Sequence, residues 1–154
     1  MAINDIIEVL RTKHRDYGTK LYPAASIGQM ETFEHTFKLY LPDDIKEFYR
    51  FCNGFESNEN LFRIIPLDEI TSNTDNYEPY CFYIAEYMIY CDMWSVKLEP
   101  ENKNDYNIFN EGKKYRVLTK LFAGFLERFL AGGVFDRGGL YDWHEEIDKK
   151  NSDV

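Results

Sequence analysis

The stretch Tyr40–Glu56, YLPDDIKEFYRFCNGFE, decides how this chain is organised. Leu41-Pro42-Asp43 is a helix-start signal, with Asp43 or Asp44 in the first turn, where the amide dipoles favour negative charge. Ile45, Phe48, Tyr49 and Cys52 follow at i, i+3, i+4 and i+7, the apolar face of one short helix. Asn53-Gly54 then stops it, because both residues accept the left-handed conformation that helix ends often need. The spacing predicts a helix over Leu41–Asn53.

Upstream, Ile3–Arg15 reads as a first helix with Asn4 as its cap and Ile6, Ile7 and Leu10 as its apolar stripe. Tyr17-Gly18 and Tyr22-Pro23 mark loops. Ser26 with Gln29 matches a capping box, opening a helix with Ile27, Met30, Phe33 and Phe37 on one side. Downstream the character changes. Glu56–Asn60 is polar and loop-like, and Leu61–Ile65 reads as a strand closed by Pro66. Leu67–Ile70 suits one helical turn. Tyr80–Lys97 is dense in aromatic and branched residues. It divides into strands at Cys81–Met88 and Met93–Leu98 around a turn at Tyr90–Asp92. Glu99–Asn104 reads as a polar turn, and Tyr106–Phe109 and Tyr115–Leu118 as a hairpin across Asn110-Glu111-Gly112. Thr119 caps a helix with Leu121, Phe122, Phe125, Leu126, Phe129 and Leu130 on its apolar face, stopped by Gly132-Gly133. A short last helix carries Leu140, Trp143 and Ile147, and His144–Val154 reads as a fraying tail.

Helices, then a run of strands, then helices imply an α+β fold. We expect a single domain over 1–154 with its core in about 27–130: a mainly antiparallel central sheet of about four to six strands with flanking helices.

At 154 residues the chain can bury a sizeable core without disulfides or metals. A formal charge of −9 disfavours nucleic-acid phosphates and anionic membrane surfaces and favours a basic partner. Three cysteines, Cys52, Cys81 and Cys91, at irregular spacing are no disulfide framework. With His14, His35 and His144 they show neither zinc-ligand spacing nor a nucleophile motif, so no metal, cofactor or catalytic residue is expected. Asp136-Arg137-Gly138-Gly139 lacks the strand and Lys of a phosphate loop and reads as a plain turn. Asp142, Glu145, Glu146 and Asp148 read as a solvated helix face. Met1–Asp5 has no basic start leading to a long apolar run, and no segment approaches the roughly 20 apolar residues of a membrane helix. The cytoplasm is the expected compartment.

Leu-Pro, an aromatic-rich helix and Asn-Gly together resemble the signature of the SUKH superfamily. Ile27 with Glu31, Pro66-Leu67-Asp68-Glu69-Ile70, Tyr83–Tyr87 and Phe122–Leu130 are similar to further family features, in the family's order. Phe55 departs from the second Gly that many relatives carry after Asn-Gly. The resemblance implies a binding fold rather than an active site. It implies an immunity protein that neutralises a toxin, with the fungal Smi/Knr type of cell-wall (glucan) synthesis regulator as the alternative.

For the binding surface, the sequence suggests the strand face carrying Glu86, Tyr87, Asp92 and Trp94, joined by Glu56. Tyr and Trp are common interface anchors, and the carboxylates suit a toxin with a basic face. For the wider group Tyr83, Glu86, Tyr87, Tyr90, Asp92 and Trp94, half core and half solvated sheet is the plainer reading.

Overall fold

In a computed structural model of the chain, described over residues 1–58 and 61–152, seven strands form one antiparallel sheet in simple meander order. They are β1 (Thr19–Leu21), β2 (Phe55–Ser57), β3 (Phe62–Ile64), β4 (Cys81–Tyr87), β5 (Asp92–Glu99), β6 (Asn102–Glu111) and β7 (Tyr115–Thr119). Six helices accompany them: α1 (Ile3–Lys13), α2 (Ile27–Phe37), α3 (Asp43–Phe51), α4 (Leu67–Ser72), α5 (Phe122–Gly132) and α6 (Leu140–Ser152). The α+β reading holds, with one strand more than the range expected.

Successive strand residues point to opposite faces, so the register assigns each side chain. Leu21, Phe55, Ile64, Ala85 and Trp94 are cross-strand partners in one row. Helices cover this face. Phe55 meets Phe48 of α3 and Phe129 of α5, Phe62 stacks on Phe129 at 4.2 Å, and Trp94 meets Phe125. Further along, Phe82 meets Phe33 of α2 edge-on. Nine of the chain's rings, led by Trp94, Tyr49 and Phe33, are fully buried here. The high aromatic content is thus spent largely on core packing.

The decisive stretch works through contacts beyond its own helix. α3 ends at Phe51, with the buried Cys52 already extended. Asn53 then reaches forward: its Oδ1 accepts from Leu67 N at 2.8 Å and its Nδ2 donates to Asp68 Oδ1 at 3.0 Å. It therefore caps α4, whose own preceding residue is a proline with no side-chain acceptor. Gly54 sits at φ +94°, and a Cβ there would lie 2.2 Å from the carbonyl oxygen of Ile64. Gly54 is therefore required by the approach of β3 and not, as the sequence suggests, by the end of the helix, which the extended Cys52 has already closed.

Other local readings need correction. Ala2, not Asn4, precedes α1, and Asp5 reaches back to Ala2 N at 2.9 Å. The Ser26–Gln29 capping box is present in both directions. Thr19–Leu21 and Phe55–Ser57, read as loop or left unread, are strands. Asn102–Asn104, read as turn, already belongs to β6. Leu121 rather than Thr119 precedes α5, though Thr119 Oγ1 accepts from Leu121 N. The supposed tail is helical to Ser152, and His144 is buried in it. The rest of that reading, like Glu59 and Asn60 of the polar loop, lies outside the described residues.

Candidate functional site: the outer face of the sheet

On the face away from the main helices, the register lines up Lys20, Glu56, Arg63, Glu86 and Met93 across five strands. Opposite charges alternate along this row, which is the favourable cross-strand arrangement. Lys20 lies 3.9 Å from Glu56, and Tyr22 donates to Glu56 at 3.0 Å. Arg63 is held by two carboxylates. Its Nε donates to Glu86 at 2.7 Å, and its two terminal nitrogens form a fork with Glu69 of α4 at 3.1 and 2.6 Å. Only 2% of Glu86 is exposed. Glu69 is held below the usual carboxylate range, first by its hydrogen bonds from Arg63 and then, against desolvation, by that from Tyr90.

The β4–β5 turn folds over this row. Met88, Ile89 and Tyr90 stand consecutively in the left-handed region, at φ 54°, 54° and 62°. Such a conformation costs about 1–2 kcal/mol per non-glycine residue, and Ile is among the least suited to it. What fixes the turn is Tyr90. Its N–H donates to Glu86 Oε2 at 2.7 Å and its hydroxyl donates to Glu69 Oε2. The backbone also closes, Cys91 N on Tyr87 O at 3.0 Å and Met88 N on Leu61 O at 3.0 Å. The outcome is an exposed apolar tip of Leu61, Met88 and Ile89, the last 88% exposed. Backbone strain imposed by surrounding contacts is characteristic of functional surfaces.

Two cavities flank this turn. One, of about 330 Å³, is lined by Asn73, Tyr83, Tyr90 and Met93. The other, of about 340 Å³, has Glu56, Arg63 and Glu86 with Leu61 and Ile89 among its walls.

Of the five residues suggested from the sequence, the structure places Glu56 and Glu86 on the outer face, each a cross-strand partner of Arg63. Tyr87, Asp92 and Trp94 lie on the opposite, helix-covered face. Glu86 and Tyr87 are consecutive strand residues and cannot share a face. Tyr87 packs against Phe135 and Tyr141. Asp92 accepts from Tyr141 Oη at 2.8 Å and from Asn110 Nδ2 at 2.9 Å. Trp94 has no exposed surface, and its Nε1 donates to His144 Nε2 at 3.0 Å. His144 Nε2 is therefore unprotonated, and burial pushes the imidazole pKa down to about 4. Tyr90 belongs to the aromatic and acidic group that the sequence marks, whereas Arg63, Glu69, Leu61 and Ile89 do not. The run 61–65 reads as a strand, but nothing local signals the left-handed turn.

Several of the other chemistry-bearing groups have structural roles, while Cys91 is a free, exposed thiol. The Cys52 thiol is pushed up to about 12 by burial, and that of Cys81 is raised for the same reason. Gly138 N donates to Asp142 and Gly139 N to Asp136 O, so these turn amides are occupied. Glu146 and Asp148 of the acidic helix face pair with Arg128 and Arg116. Among the described residues no group of three His, Cys, Asp or Glu is placed to hold a metal ion. No described helix is long and apolar enough to cross a membrane.

No curated protein matches the chain in sequence. A family model does match, over residues 24–128, from the loop before α2 to within α5. It spans the Leu-Pro helix, the Asn53-Gly54 junction and the whole charged row except Lys20. The chain belongs to the SMI1 / KNR4 family (SUKH-1).

Proposed function

We propose that this protein is a non-catalytic, cytoplasmic binding domain that works as an immunity protein, neutralising a cognate toxin by docking on the toxin's basic face. The docking surface is the outer sheet face. The observation that carries the reading is the strained, exposed Ile89 tip standing over a pre-organised row of Glu56, Glu69 and Glu86. Preformed geometry lowers the ordering cost of association. Exposed apolar side chains beside carboxylates suit a partner with basic residues around an apolar patch. The overall charge of −9 adds attraction at long range.

The test is binding and inhibition with the toxin domain encoded beside this gene. Wild-type protein binds it tightly and abolishes its activity. Glu56→Lys, at a half-exposed position, slows association about tenfold at low salt, and the loss shrinks as salt rises. A toxin that stays active in excess protein overturns the reading. Capture of a cell-wall synthesis component instead would favour the regulatory role associated with the fungal relatives.

A further inference from the structure

The cavity bounded by Asn73, Tyr83, Tyr90 and Met93 has a chemistry of its own. Tyr83 and Tyr90 form a V, with ring centroids 6.5 Å apart and planes inclined at 56°. Behind Tyr90 lies Glu69, which accepts its hydroxyl, and Glu86, which accepts its amide. These two carboxylates share a single guanidinium, that of Arg63. One negative charge is left uncompensated behind an aromatic wall. Glu69 keeps about a third of its side chain exposed, so that charge is felt in the cavity.

The geometry points to an anchor pocket for one arginine side chain presented by the protein partner. The planar guanidinium lies against the Tyr rings, where the ring quadrupole attracts a cation. Its donors reach the side-chain oxygen of Asn73, whose own nitrogen is engaged with Glu69 O at 3.0 Å, and its charge answers that of Glu69, whose carboxylate keeps one acceptor site beside the bonds from Arg63 and Tyr90. The alkyl stem runs along Met93. A neutral or anionic side chain would leave the charge behind Tyr90 unanswered. This assignment rests on the outer face being the docking surface, as proposed above.

Amide NMR spectra followed during titration with N-acetylarginine amide test it, with the neutral isostere N-acetylcitrulline amide as control. Arginine gives saturable shifts at Asn73, Tyr83, Tyr90 and Met93, and citrulline does not. Met93→Lys, a partly exposed position, places a like charge in the cavity and weakens the arginine response at least tenfold. Met93→Leu retains it. Thermal melts establish that both variants are folded. Equal responses to the two probes, or shifts centred on Leu61 and Ile89, overturn the assignment. Toxin bound equally well by wild type and Met93→Lys also overturns it, while leaving the docking face intact. Arginine-specific shifts without any toxin binding support the pocket and remove the immunity role.

Discussion

Two polar ladders cross this sheet, one on each face, and they carry nearly the same charges. On the helix-covered face, Tyr141, Asp92, Asn110, Arg116 and Asp148 follow one another in hydrogen-bonded contact, with the fork from Arg116 to Asp148 at 2.8 and 2.9 Å. On the outer face, Glu56 and Arg63 are register partners, and Arg63 bonds to Glu86 and Glu69. Arg63 bonds two carboxylates directly, whereas Arg116 bonds Asp148 and reaches Asp92 through Asn110. What differs is closure. Helix α6 supplies Tyr141 and Asp148 to the first ladder, which is thereby used up in holding that helix. The second borders two cavities and a strained apolar tip. Charge composition therefore does not distinguish a structural carboxylate from one available to a partner; the occupancy of its lone pairs and the space beside it do.

The contrast can be broken most strongly from the covered side. Trp94→Ala removes a fully buried ring and leaves His144 without its donor. A loss of about 3–5 kcal/mol in denaturant unfolding is expected, with partner affinity unchanged in whatever fraction stays folded. A loss below 1 kcal/mol would show that the ring is not a core element.

Next comes the outer ladder. Arg63→Ala strands the buried Glu86, and a lost partner of this kind costs about 3 kcal/mol. Arg63→Met combined with Glu86→Gln should recover much of that, because the uncompensated charge goes too. Non-additivity between the two sites, read from a double-mutant cycle, measures the coupling.

The third test uses pH. His144 holds a folded pKa near 4, mainly through desolvation and then Arg116, against an ordinary 6.5, with Asp92 and Asp148 acting in the opposite sense. The unfolded chain takes up a proton that the folded one refuses. Stability therefore falls as pH drops from about 6.5 to about 4, and this contribution levels off below. The size is on the order of 2–3 kcal/mol. His144→Gln should flatten that part of the curve. An unchanged slope in the variant would assign the acid sensitivity to other groups.

The smallest effect has the opposite sign. Ile89→Asn replaces a β-branched residue at φ 54° with one that tolerates this region. Because Ile89 is almost wholly exposed, little packing is lost. The variant should be more stable by about 1 kcal/mol and bind its partner less tightly. Destabilisation would mean that the tip is not strained.

How much of this could be read from the sequence depended on the range of the interactions. The Ser26–Gln29 box, the apolar face of α3 and the β4–β5 hairpin are local, and their residues announced them. β1 and β2 have three residues each, too short for periodicity to register; pairing with a neighbour creates them. The end of α6 looked like a tail because its polar residues have no local reason to be helical. Their partners, Arg116, Arg128 and Trp94, are distant in sequence. On the outer face, Glu56 and Glu86 are picked out by their charge, and the register places both beside Arg63. The grouping with Tyr87, Asp92 and Trp94 failed on alternation, which the sequence does contain. It was obscured because the covered face carries polar residues and the outer face carries rings.

The meander has a consequence for how the chain reaches this structure. Every strand pairs with the strand next to it in the chain, and from β4 to β7 each closure spans a short turn. The β3–β4 pairing must close over α4, and the β1–β2 pairing over the longest excursion, through α2 and α3. Loop-closure entropy grows with the logarithm of length, and chains rich in local contacts cross their folding barrier faster. Folding thus has a natural direction. The hairpins from β4 to β7 are expected to form early, and the β1 edge to join last. The edge that arrives late carries Lys20, so the charged row acquires its final cation only when the rest of the domain is in place.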